Sequence, residues 1–465
     1  MFKRRKKIKK VLVIGWDCGA PQLVFDKYLD DMPNMKKLMD NGIYGEIEST
    51  IPAITCPAWM SMMTSKDPGT LGFYGFRNRP DHSYDGMSIA NSTMVKENTV
   101  WDILSKHDKN SIIIGVPQTY PPKPLNGCMV TSFLTPSTES EYTYPPELKQ
   151  EVERIADGYM LDVENFRTDD KAQIVNEIFE MTEKRHKVAK HLMTTSDWDF
   201  FMMVEMGPDR LHHGLWRFID ENHRDYIPTK YKDIAREYYE YLDEIAGDLI
   251  ETAGEDTAVI VVSDHGVKPM DGGICINEWM IQEGYLKLKE YPDEVTRLAS
   301  ENIDWENTRA WGEGGYYARV FLNVKDREPR GIVPQMDYEK IRDELTEKLK
   351  DLGDDKGNPI GTKVFKPQDI YKVCKGIPPD LIIYFGDLSW RSVGSVGLKT
   401  IHTFENDTGP DDANHAQYGM FIMSVPNSKV SGKITDIHVM DCAPTILKLM
   451  NISIPDDMQG KVIDF

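Results

Sequence analysis

Short apolar runs rich in valine and isoleucine recur along the chain and alternate with stretches of helical periodicity. Continuous runs of this length are typical of strands buried on both faces, whereas half-buried strands alternate apolar and polar residues. The pattern therefore predicts the α/β class, with a mostly parallel central sheet and helices on both of its faces. The predicted strands cover residues 11–16, 111–116, 199–206, 257–263, 381–386 and 419–425.

The stretches between these runs predict amphipathic helices, because their apolar residues recur with the period of an α-helix. One predicted helix carries an apolar face made of Ile174, Ile178, Met181, Val188 and Leu192. A second carries a face made of Ile234, Tyr238, Tyr241, Ile245 and Leu249. This second helix is expected to end near Gly254, because glycine favours the position after a helix.

The length of the chain bounds its organisation. With 465 residues, 40% of them hydrophobic, it can hold two lobes or one domain with a large insertion. Residues 267–413 far exceed the length that a connection between a strand and a helix needs. They are predicted to be an inserted cap or subdomain, which either shapes a pocket or packs as an accessory lobe. Residues 11–266 and 414–465 are the predicted core.

The charge is acidic overall, with a basic exception at the start. The chain carries 55 basic and 75 acidic residues, a net charge of −20, which argues against stable nucleic-acid binding or a membrane-surface protein. Residues 3–10, KRRKKIKK, carry seven positive charges, but the apolar run after them is too short for a signal peptide or a membrane span. Residues 1–10 are therefore interpreted as a solvated basic N-terminal arm, with docking to an anionic surface as the alternative.

The cysteines indicate a reducing environment. Six cysteines are scattered along the chain without a C-x-x-C pair. This pattern indicates neither a disulfide framework nor a cysteine zinc site. A cytoplasmic location is therefore predicted.

Acidic and imidazole side chains stand next to the predicted strands, at the edge where open α/β sheets bind ligands. Each alone has an ordinary explanation as a helix cap, a turn residue or a hydrogen-bonded histidine. Together they form a mixture that suits Zn²⁺ and is acceptable to Mn²⁺, enough for two divalent ions with open coordination positions. These side chains are Asp17, Asp209, His213, Asp264, His265 and His415.

Spacing favours a shared site for these side chains. Asp209 and His213 are four residues apart, so one helical turn places them on the same face while His212 points elsewhere. Asp264 and His265 are adjacent, and a turn at the end of a strand can bring both to one ion.

Thr55 and Cys56 stand side by side at the predicted start of a helix, followed by Pro57. The thiol is the better nucleophile in isolation, whereas a threonine hydroxyl needs activation. Two divalent ions carry one more positive charge than three aspartates neutralise, and a threonine alkoxide would balance it. Pro57 suits the first turn of a helix, whose positive end favours an anion beside Thr55. Thr55 is therefore the predicted nucleophile.

The ordered motifs VIGWD, ITCPAW…TSKDPGTLG, GPDRLHH, VVSDHG and NHA resemble those of the alkaline phosphatase superfamily, most closely its type I phosphodiesterase and nucleotide pyrophosphatase branch. The resemblance implies an alkaline phosphatase-like fold. It implies one metal held by Asp209, His213 and His415. It implies a second metal held by Asp17, Asp264, His265 and the Thr55 oxygen.

The resemblance also bears on Cys56 and on substrate recognition. Sulfatase-like relatives use a modified cysteine two residues before the motif proline, and Thr55 stands there in this chain, which leaves Cys56 a packing role. Ala58 stands where an asparagine often helps hold a phosphoryl oxygen, and Leu71 stands where a histidine is common. The substrate-binding residues are therefore left unassigned.

The resemblance implies a two-metal phosphodiesterase or nucleotide pyrophosphatase-type hydrolase that works through a covalent phosphothreonine intermediate. Its expected partner is a small phosphoester or pyrophosphate, with a nucleotide derivative as one candidate. Its expected cofactors are two divalent ions, Zn²⁺ or alternatively Mn²⁺. The competing interpretations are a phosphomonoesterase of the same superfamily, a phosphoglycerate mutase-like isomerase and an inactive binding protein.

Diesters are predicted to be better substrates than monoesters. The third free oxygen of a monoester needs an additional cation or hydrogen-bond donor. The basic residues near the motifs are interpreted by default as solvated surface charges, although any of them could supply such a donor. They are Arg77, Arg79, Arg210 and Lys268.

Overall fold

The computed structural model describes residues 8–465, so residues 1–7, and with them most of the predicted basic arm, lie outside the described residues. The α-helices are α1 (Pro33–Asp40), α2 (Thr55–Thr64), α3 (Pro68–Leu71), α4 (Val100–Ser105), α5 (Leu148–Ala156), α6 (Lys171–Thr195), α7 (Gly207–Ile219), α8 (Ile234–Ala253), α9 (Ile276–Gln282), α10 (Tyr338–Lys350), α11 (Pro367–Ile370) and α12 (Cys442–Leu449).

The first strands in chain order are β1 (Lys10–Trp16), β2 (Ile43–Glu48), β3 (Arg77–Asn78), β4 (Ser88–Ile89), β5 (Ser111–Ile114), β6 (Gly127–Val130), β7 (Thr143–Tyr144), β8 (Phe200–Glu205), β9 (Thr257–Val262) and β10 (Gly266–Pro269). They are followed by β11 (Gly272–Cys275), β12 (Ala310–Glu313), β13 (Ala318–Leu322), β14 (Lys363–Phe365), β15 (Leu381–Tyr384), β16 (Trp390–Val393), β17 (His402–Thr403), β18 (Ala413–Ala416), β19 (Tyr418–Ser424), β20 (Gly432–Lys433) and β21 (Ile437–His438).

A ten-stranded sheet forms the centre of the fold, in the order β20-β2-β19-β9-β1-β8-β5-β6-β7, with β21 also paired to β2. Strands β9, β1, β8, β5 and β6 run parallel, with Val11 opposite Phe200 and Val13 opposite Ile260. Strand β19 is antiparallel to its neighbours β2 and β9. The predicted α/β class with a mostly parallel central sheet is confirmed.

Helices pack on both faces of this sheet. Neighbouring residues of a strand face opposite sides of the sheet, so Gly15 and Trp16 of β1 show which helix packs on each face. A Cβ atom at Gly15 would lie 2.5 Å from the Trp59 side chain of α2, so only glycine lets this helix approach so closely. Trp16, on the other face, packs edge-on against Tyr239 of α8, with ring centroids 5.9 Å apart.

The two predicted amphipathic helices are α6 and α8. The predicted apolar face of α6 is buried along its length, and that of α8 is buried except at the partly exposed Tyr241. Helix α8 ends at Ala253, and Gly254 follows with a φ of +85°, in the left-handed region that glycine favours. No helix within residues 8–465 combines the length and the apolar character that a membrane crossing requires.

We refer to residues 267–413 as the cap. It contains an antiparallel four-stranded sheet, β12-β13-β15-β14, and a three-stranded sheet, β16-β11-β17. A hydrophobic cluster separate from that of the central sheet includes Ile276, Val320 and Leu345 and joins these strands to α9 and α10. Strands β10 and β18 pair as an antiparallel ribbon where the chain leaves the central sheet and returns to it.

The run at residues 381–386 contains a strand, but its assignment to the central sheet is wrong. It forms β15 in the middle of the four-stranded cap sheet. Leu381 and Ile383 pack into the cap cluster, whereas Ile382 and Tyr384 pack with Ala53 and Ile54 of the core. Because both faces of β15 are buried, its apolar pattern is the same as that of a central strand.

The cap also holds the segment that leads into α2. The Tyr384 hydroxyl accepts a hydrogen bond from the Ala53 N–H at 2.7 Å, and the Tyr371 hydroxyl donates one to the Ile51 carbonyl at 2.5 Å. Ile54 is extended, with a φ of −146°, and Thr55 begins the helix. Contacts between core and cap therefore position the start of α2.

Candidate metal and catalytic centre

The six acidic and imidazole side chains predicted from the sequence meet at the carboxyl edge of the central sheet, and each is at most 3% exposed. Because β19 is antiparallel to β9, the residues just before β19 reach the edge at which the parallel strands end. The six are Asp17 after β1, Asp209 and His213 in α7 after β8, Asp264 and His265 between β9 and β10, and His415 in β18.

Asp209, His213 and His415 form a first cluster. Asp209 Oδ1 lies 3.3 Å from His213 Nε2 and 3.8 Å from His415 Nε2. Asp209 and His213 meet because one turn of α7 separates them. His212 faces the other side of the helix, where its Nε2 lies 3.3 Å from the Tyr239 hydroxyl.

His265 is the centre of a second cluster. Its Nε2 lies 3.2 Å from Asp264 Oδ2, 3.9 Å from Asp17 Oδ1 and 3.5 Å from Thr55 Oγ1. Ligand atoms of Asp17, Asp209 and His265 all lie within 4.8 Å of one another. Asp209 therefore borders both clusters, and the two clusters form one continuous site.

A hydrogen bond at Nδ1 orients each histidine of the two clusters. A carboxylate or carbonyl acceptor at Nδ1 keeps the ring proton there and leaves Nε2 free to bind a metal ion. The bonded pairs are His213 with Asp411 Oδ1 at 2.7 Å, His415 with the Ala53 carbonyl at 2.9 Å and His265 with the Gly266 carbonyl at 3.1 Å.

One oxygen of each aspartate is likewise held by a donor of the chain. A carboxylate fixed at one oxygen presents the other in a defined direction. The held oxygens are Asp17 Oδ2, bonded by Trp59 Nε1 at 2.7 Å, Asp264 Oδ1, bonded by the Cys18 N–H at 3.2 Å, and Asp209 Oδ2, bonded by Arg210 Nη1 at 2.6 Å.

The atoms of the two clusters that have no hydrogen bond show whether the site fits metal ions. Buried acceptors without a donor are costly and rare in folded proteins. Burial, together with neighbouring carboxylates, raises the pKa of both Asp17 and Asp264. Divalent cations would bind these acceptors and offset the repulsion between the neighbouring carboxylates. The residues of the site therefore fit divalent cations. The buried atoms without a hydrogen bond in residues 8–465 include Asp17 Oδ1, Asp209 Oδ1, Asp264 Oδ2, His213 Nε2 and His415 Nε2.

Thr55 and Cys56 differ in their surroundings. Thr55 is the first residue of α2, and its side chain lines the cavity beside the second cluster. Cys56 is fully buried, and burial raises the pKa of its thiol well above the usual range. Burial therefore favours the thiol over the thiolate and disfavours Cys56 as a nucleophile.

The interpretation as solvated surface charges is wrong for Arg210 and Arg79. Arg210 is 6% exposed, and its Nε and Nη2 bond to the two oxygens of Asp162 at 2.8 and 2.7 Å, in addition to the bond to Asp209. Arg79 is also buried and pairs with Glu328 at 3.3 Å. Asp162 and Glu328 lie far from these arginines in sequence, so the local pattern could not reveal the burial.

The other two basic residues are less enclosed. Arg77 is exposed, which agrees with its interpretation as a solvated surface charge. It also lines the cavity. Lys268 is partly buried and donates a hydrogen bond to the Asp387 carbonyl at 2.7 Å. This hydrogen bond therefore lies within the cap.

Both clusters border a cavity of about 700 Å³ between core and cap. Thr55, Asp209 and His415 line it from the core. From the cap, the Tyr316 ring stacks on the rings of His415 and His213, with centroids 4.2 and 4.8 Å apart. Tyr316 and Asp411 were not predicted from the sequence, although an acidic residue four positions before His415 could have indicated a partner for a histidine.

The fold is that of the alkaline phosphatase superfamily. Residues 11–411 match the type I phosphodiesterase / nucleotide pyrophosphatase family, and the chain belongs to this family. The resemblance inferred from the motifs is therefore confirmed, and the chain is a hydrolase of the phosphodiesterase and pyrophosphatase type. No curated protein matches the sequence.

Solved structures share the fold at low sequence identity. Human ectonucleotide pyrophosphatase / phosphodiesterase 5 is 13% identical, with a TM-score of 0.56 and 96% of each chain covered. The murine protein, inactive with a threonine-to-alanine substitution and in complex with AMP, gives the same values. Phosphonoacetate hydrolase from Sinorhizobium meliloti 1021, in complex with phosphonoacetate, is 13% identical, with a TM-score of 0.62 and coverage of 96% of this chain and 97% of that chain.

Proposed function

We propose that the protein hydrolyses a small phosphodiester or pyrophosphate-linked substrate through a covalent phosphothreonine intermediate on Thr55, with two divalent metal ions. The observation that carries the proposal is the position of Thr55. Its Oγ1 lies 3.5 Å from His265 Nε2, beside buried acceptors without partners and in the wall of the cavity. A hydroxyl in this position is the one that a neighbouring cation can activate.

The residues of the two clusters are the proposed ligands. One ion would be held by Asp209, His213 and His415. The other would be held by Asp17, Asp264, His265 and Thr55. Imidazole and carboxylate ligands favour Zn²⁺, with Mn²⁺ as the alternative. When bound, the two ions would lower the pKa of the Thr55 hydroxyl and stabilise charge on the phosphoryl and leaving oxygens.

The chain supplies the orientation for two successive displacements. The Thr55 hydroxyl loses its proton to solvent, and its Oγ forms a bond to phosphorus as the bond from phosphorus to the leaving oxygen breaks; the leaving oxygen then takes up a proton. Water attacks the same phosphorus, the bond from phosphorus to Thr55 Oγ breaks, and one proton of the attacking water goes to the threonine oxygen. The N-terminal end of α2 favours the anionic phosphoryl group beside Thr55. Trp59 and Arg210 keep Asp17 and Asp209 in fixed orientations.

Two relatives support this choice of substrate class. The murine ectonucleotide pyrophosphatase / phosphodiesterase 5 is inactive with a threonine replaced by alanine and is in complex with AMP. Phosphonoacetate hydrolase is in complex with phosphonoacetate. Both ligands are small molecules that carry a phosphoryl or phosphonyl group, and a nucleotide derivative is accordingly one candidate for this chain.

The preference for diesters is part of the proposal. Arg210 bonds directly to Asp209, a proposed metal ligand, and its Nε, Nη1 and Nη2 all donate to Asp162 or Asp209. This geometry supports a role in positioning Asp209 and leaves Arg210 little capacity for the third oxygen of a monoester. A phosphomonoesterase of the same superfamily is the nearest alternative.

The remaining alternatives have less support from this chain. A phosphoglycerate mutase-like isomerase would need a serine nucleophile and a large insertion directly after it, whereas α2 continues from Thr55 through Thr64. An inactive binding protein would have no need for a complete buried ligand set. A cytoplasmic location is also proposed, supported by the six cysteines, which are all unpaired in residues 8–465.

The test is a parallel assay of matched p-nitrophenyl monoesters and diesters, with Zn²⁺ and Mn²⁺ each added to the metal-free protein. We expect metal-dependent hydrolysis, with a higher kcat/KM for the diester. A higher kcat/KM for the monoester would contradict the diester preference and favour the phosphomonoesterase. Activity in a preparation that contains no divalent metal would contradict the two-metal mechanism.

A further inference from the structure

The cavity wall is basic although the protein is acidic. The chain carries a net charge of −20, yet six arginines and four acidic residues line the cavity. An excess of positive side chains facing one cavity attracts anions. The arginines are Arg77, Arg167, Arg210, Arg297, Arg319 and Arg391. The acidic residues are Asp162, Asp209, Glu313 and Asp407.

Two of these arginines share one carboxylate. Arg167 Nε and Arg391 Nη1 both donate to Asp411 Oδ2, at 3.0 and 3.3 Å, while Asp411 Oδ1 binds His213. Arg167 Nη2 also donates to the Tyr316 hydroxyl at 2.7 Å. One carboxylate therefore serves two guanidinium groups and an imidazole, and the arginine pair keeps a net positive charge.

Arg391 has hydrogen-bonding capacity left over. It is 4% exposed, and its buried Nε has no hydrogen-bond partner within residues 8–465. Burial lowers the pKa of its guanidinium despite the neighbouring Asp411. Asp407, which also lines the cavity, accepts a hydrogen bond from the Ser395 hydroxyl at 2.8 Å. A buried guanidinium with a free donor is stabilised by an anionic ligand, which it can bind with two hydrogen bonds.

We propose that Arg167 and Arg391 bind a second anionic group of the substrate, a phosphate or a carboxylate, while the reacting phosphoryl group lies at Thr55. The proposal rests on the proposed function for the position of the reacting group. The Asp411 carboxylate and the His213 ring separate the arginine pair from Asp209 Oδ1, so a short chain joins the two ends of the substrate. The substrate class is therefore a phosphoester with a second negative charge near the scissile bond.

Equilibrium binding tests this subsite without turnover. The probes are phosphonates whose propyl chain ends in a methyl group, a carboxylate or a second phosphonate, titrated calorimetrically into the full chain with Zn²⁺ and again after chelation. We expect the two charged ends to bind about tenfold more tightly than the methyl end, or better. The carboxylate and phosphonate arms distinguish which anion the pair prefers.

The variants are Arg391→Gln, Arg167→Gln and Arg391→Lys, with Arg330→Gln on the exposed surface of the cap as the matched control. Either glutamine variant should bring the affinity ratio of charged to methyl ends close to one. Arg391→Lys should restore part of the ratio, and Arg330→Gln should leave it unchanged. Thermal unfolding shows which variants fold. If Arg391→Gln does not fold, Arg391→Lys and Arg167→Gln are used for the test.

Equal affinity for charged and methyl ends in the wild-type protein would overturn the subsite. A ratio that persists in both glutamine variants, or that falls equally in Arg330→Gln, would also overturn it. Failure of the proposed function would give a different result. In that case the wild-type protein would not hydrolyse a p-nitrophenyl diester with an uncharged second substituent. The binding ratio of the phosphonates does not depend on that reaction.

Discussion

The cavity lining contains two regions of opposite chemistry: the core wall, formed by Thr55, Asp209 and His415, and the cap wall, formed by Tyr316 and Arg391 of the cap together with Arg167 of the core. The core wall presents buried acceptors, among them Asp209 Oδ1 and His415 Nε2, which have no hydrogen-bond partner in residues 8–465. The cap wall presents donors, and the buried Nε of Arg391 has no acceptor within the same residues. The core wall therefore fits cations and the cap wall fits an anion. A substrate with a reacting phosphoryl group and a second negative charge would satisfy both.

The two walls are also supported differently. Each core side chain is fixed at one atom by a partner in the chain, as Asp17 is by Trp59, so that the opposite atom is free for a metal ion. Asp411 of the cap binds His213 of the core with one oxygen, and it binds Arg167 of the core and Arg391 of the cap with the other. Asp411 thus connects the proposed metal site to the proposed anion subsite.

The largest expected effect concerns the core wall. Removal of divalent metal by a chelator should reduce hydrolysis of every ester to background, because the buried acceptors and Thr55 then have no cation. Zn²⁺ or Mn²⁺ added back should restore activity and raise the Tm, since a ligand that binds only the folded state stabilises it. Elemental analysis alongside the assay checks the result. Full activity in a chelated, metal-free sample would contradict the proposal that the core wall acts through bound divalent ions.

Thr55→Ala should lower kcat by about a thousandfold or more, because no other group of the cavity is expected to replace the nucleophile. Cys56→Ala is the matched neighbour and should keep most of the activity, since its thiol is buried and protonated. The measurement is steady-state hydrolysis of a p-nitrophenyl diester by both variants, with metal content verified. A comparable loss in the two variants would contradict the assignment of Thr55.

Asp411→Asn should weaken metal binding by about tenfold to a hundredfold, because the histidine ring loses the carboxylate that orients it. It should also lower the preference for charged phosphonates, since both arginines bond to the same side chain. Asp412→Asn is the adjacent control, whose carboxylate pairs with Arg217 at 2.5 Å. Metal titration and calorimetry measure the two effects. An unchanged metal affinity would show that the two walls act independently.

The smallest expected effect concerns the cap wall. Tyr316→Phe keeps the ring that stacks on the histidines and removes the hydroxyl that accepts from Arg167. Affinity for the phosphonate with a charged end should fall about threefold to tenfold, as for loss of one hydrogen bond to a charged group. Affinity for the methyl end and metal content should stay the same. An equal fall for both ends would assign Tyr316 to the metal site instead of the anion subsite.

The core wall could be predicted because its signals are local. Asp209 and His213 are one helical turn apart, and Asp264 and His265 follow an apolar strand, so spacing alone suggested their convergence. The central sheet was predictable for the same reason, since runs such as residues 257–263 are continuous and apolar. Strand β2 escaped prediction because its burial alternates and because it contains Gly45 and Glu46.

The cap wall could not be predicted, because its chemistry depends on partners far apart in sequence. Arg391 stands in the short strand β16, and Arg167 meets it through Asp411, far away from Arg167 in sequence. Burial of Arg210 likewise depends on Asp162, which precedes it by a long stretch of chain. The misplaced strand β15 has the same cause, since an apolar run does not show which sheet it enters.

The covalent intermediate is the central claim, and the stereochemical course at phosphorus tests it most directly. One diastereomer of a p-nitrophenyl phosphorothioate diester is hydrolysed in oxygen-labelled water, and the configuration of the product is determined. Two successive displacements, first by Thr55 and then by water, predict overall retention of configuration. Inversion would mean a single direct attack by water and would contradict the account.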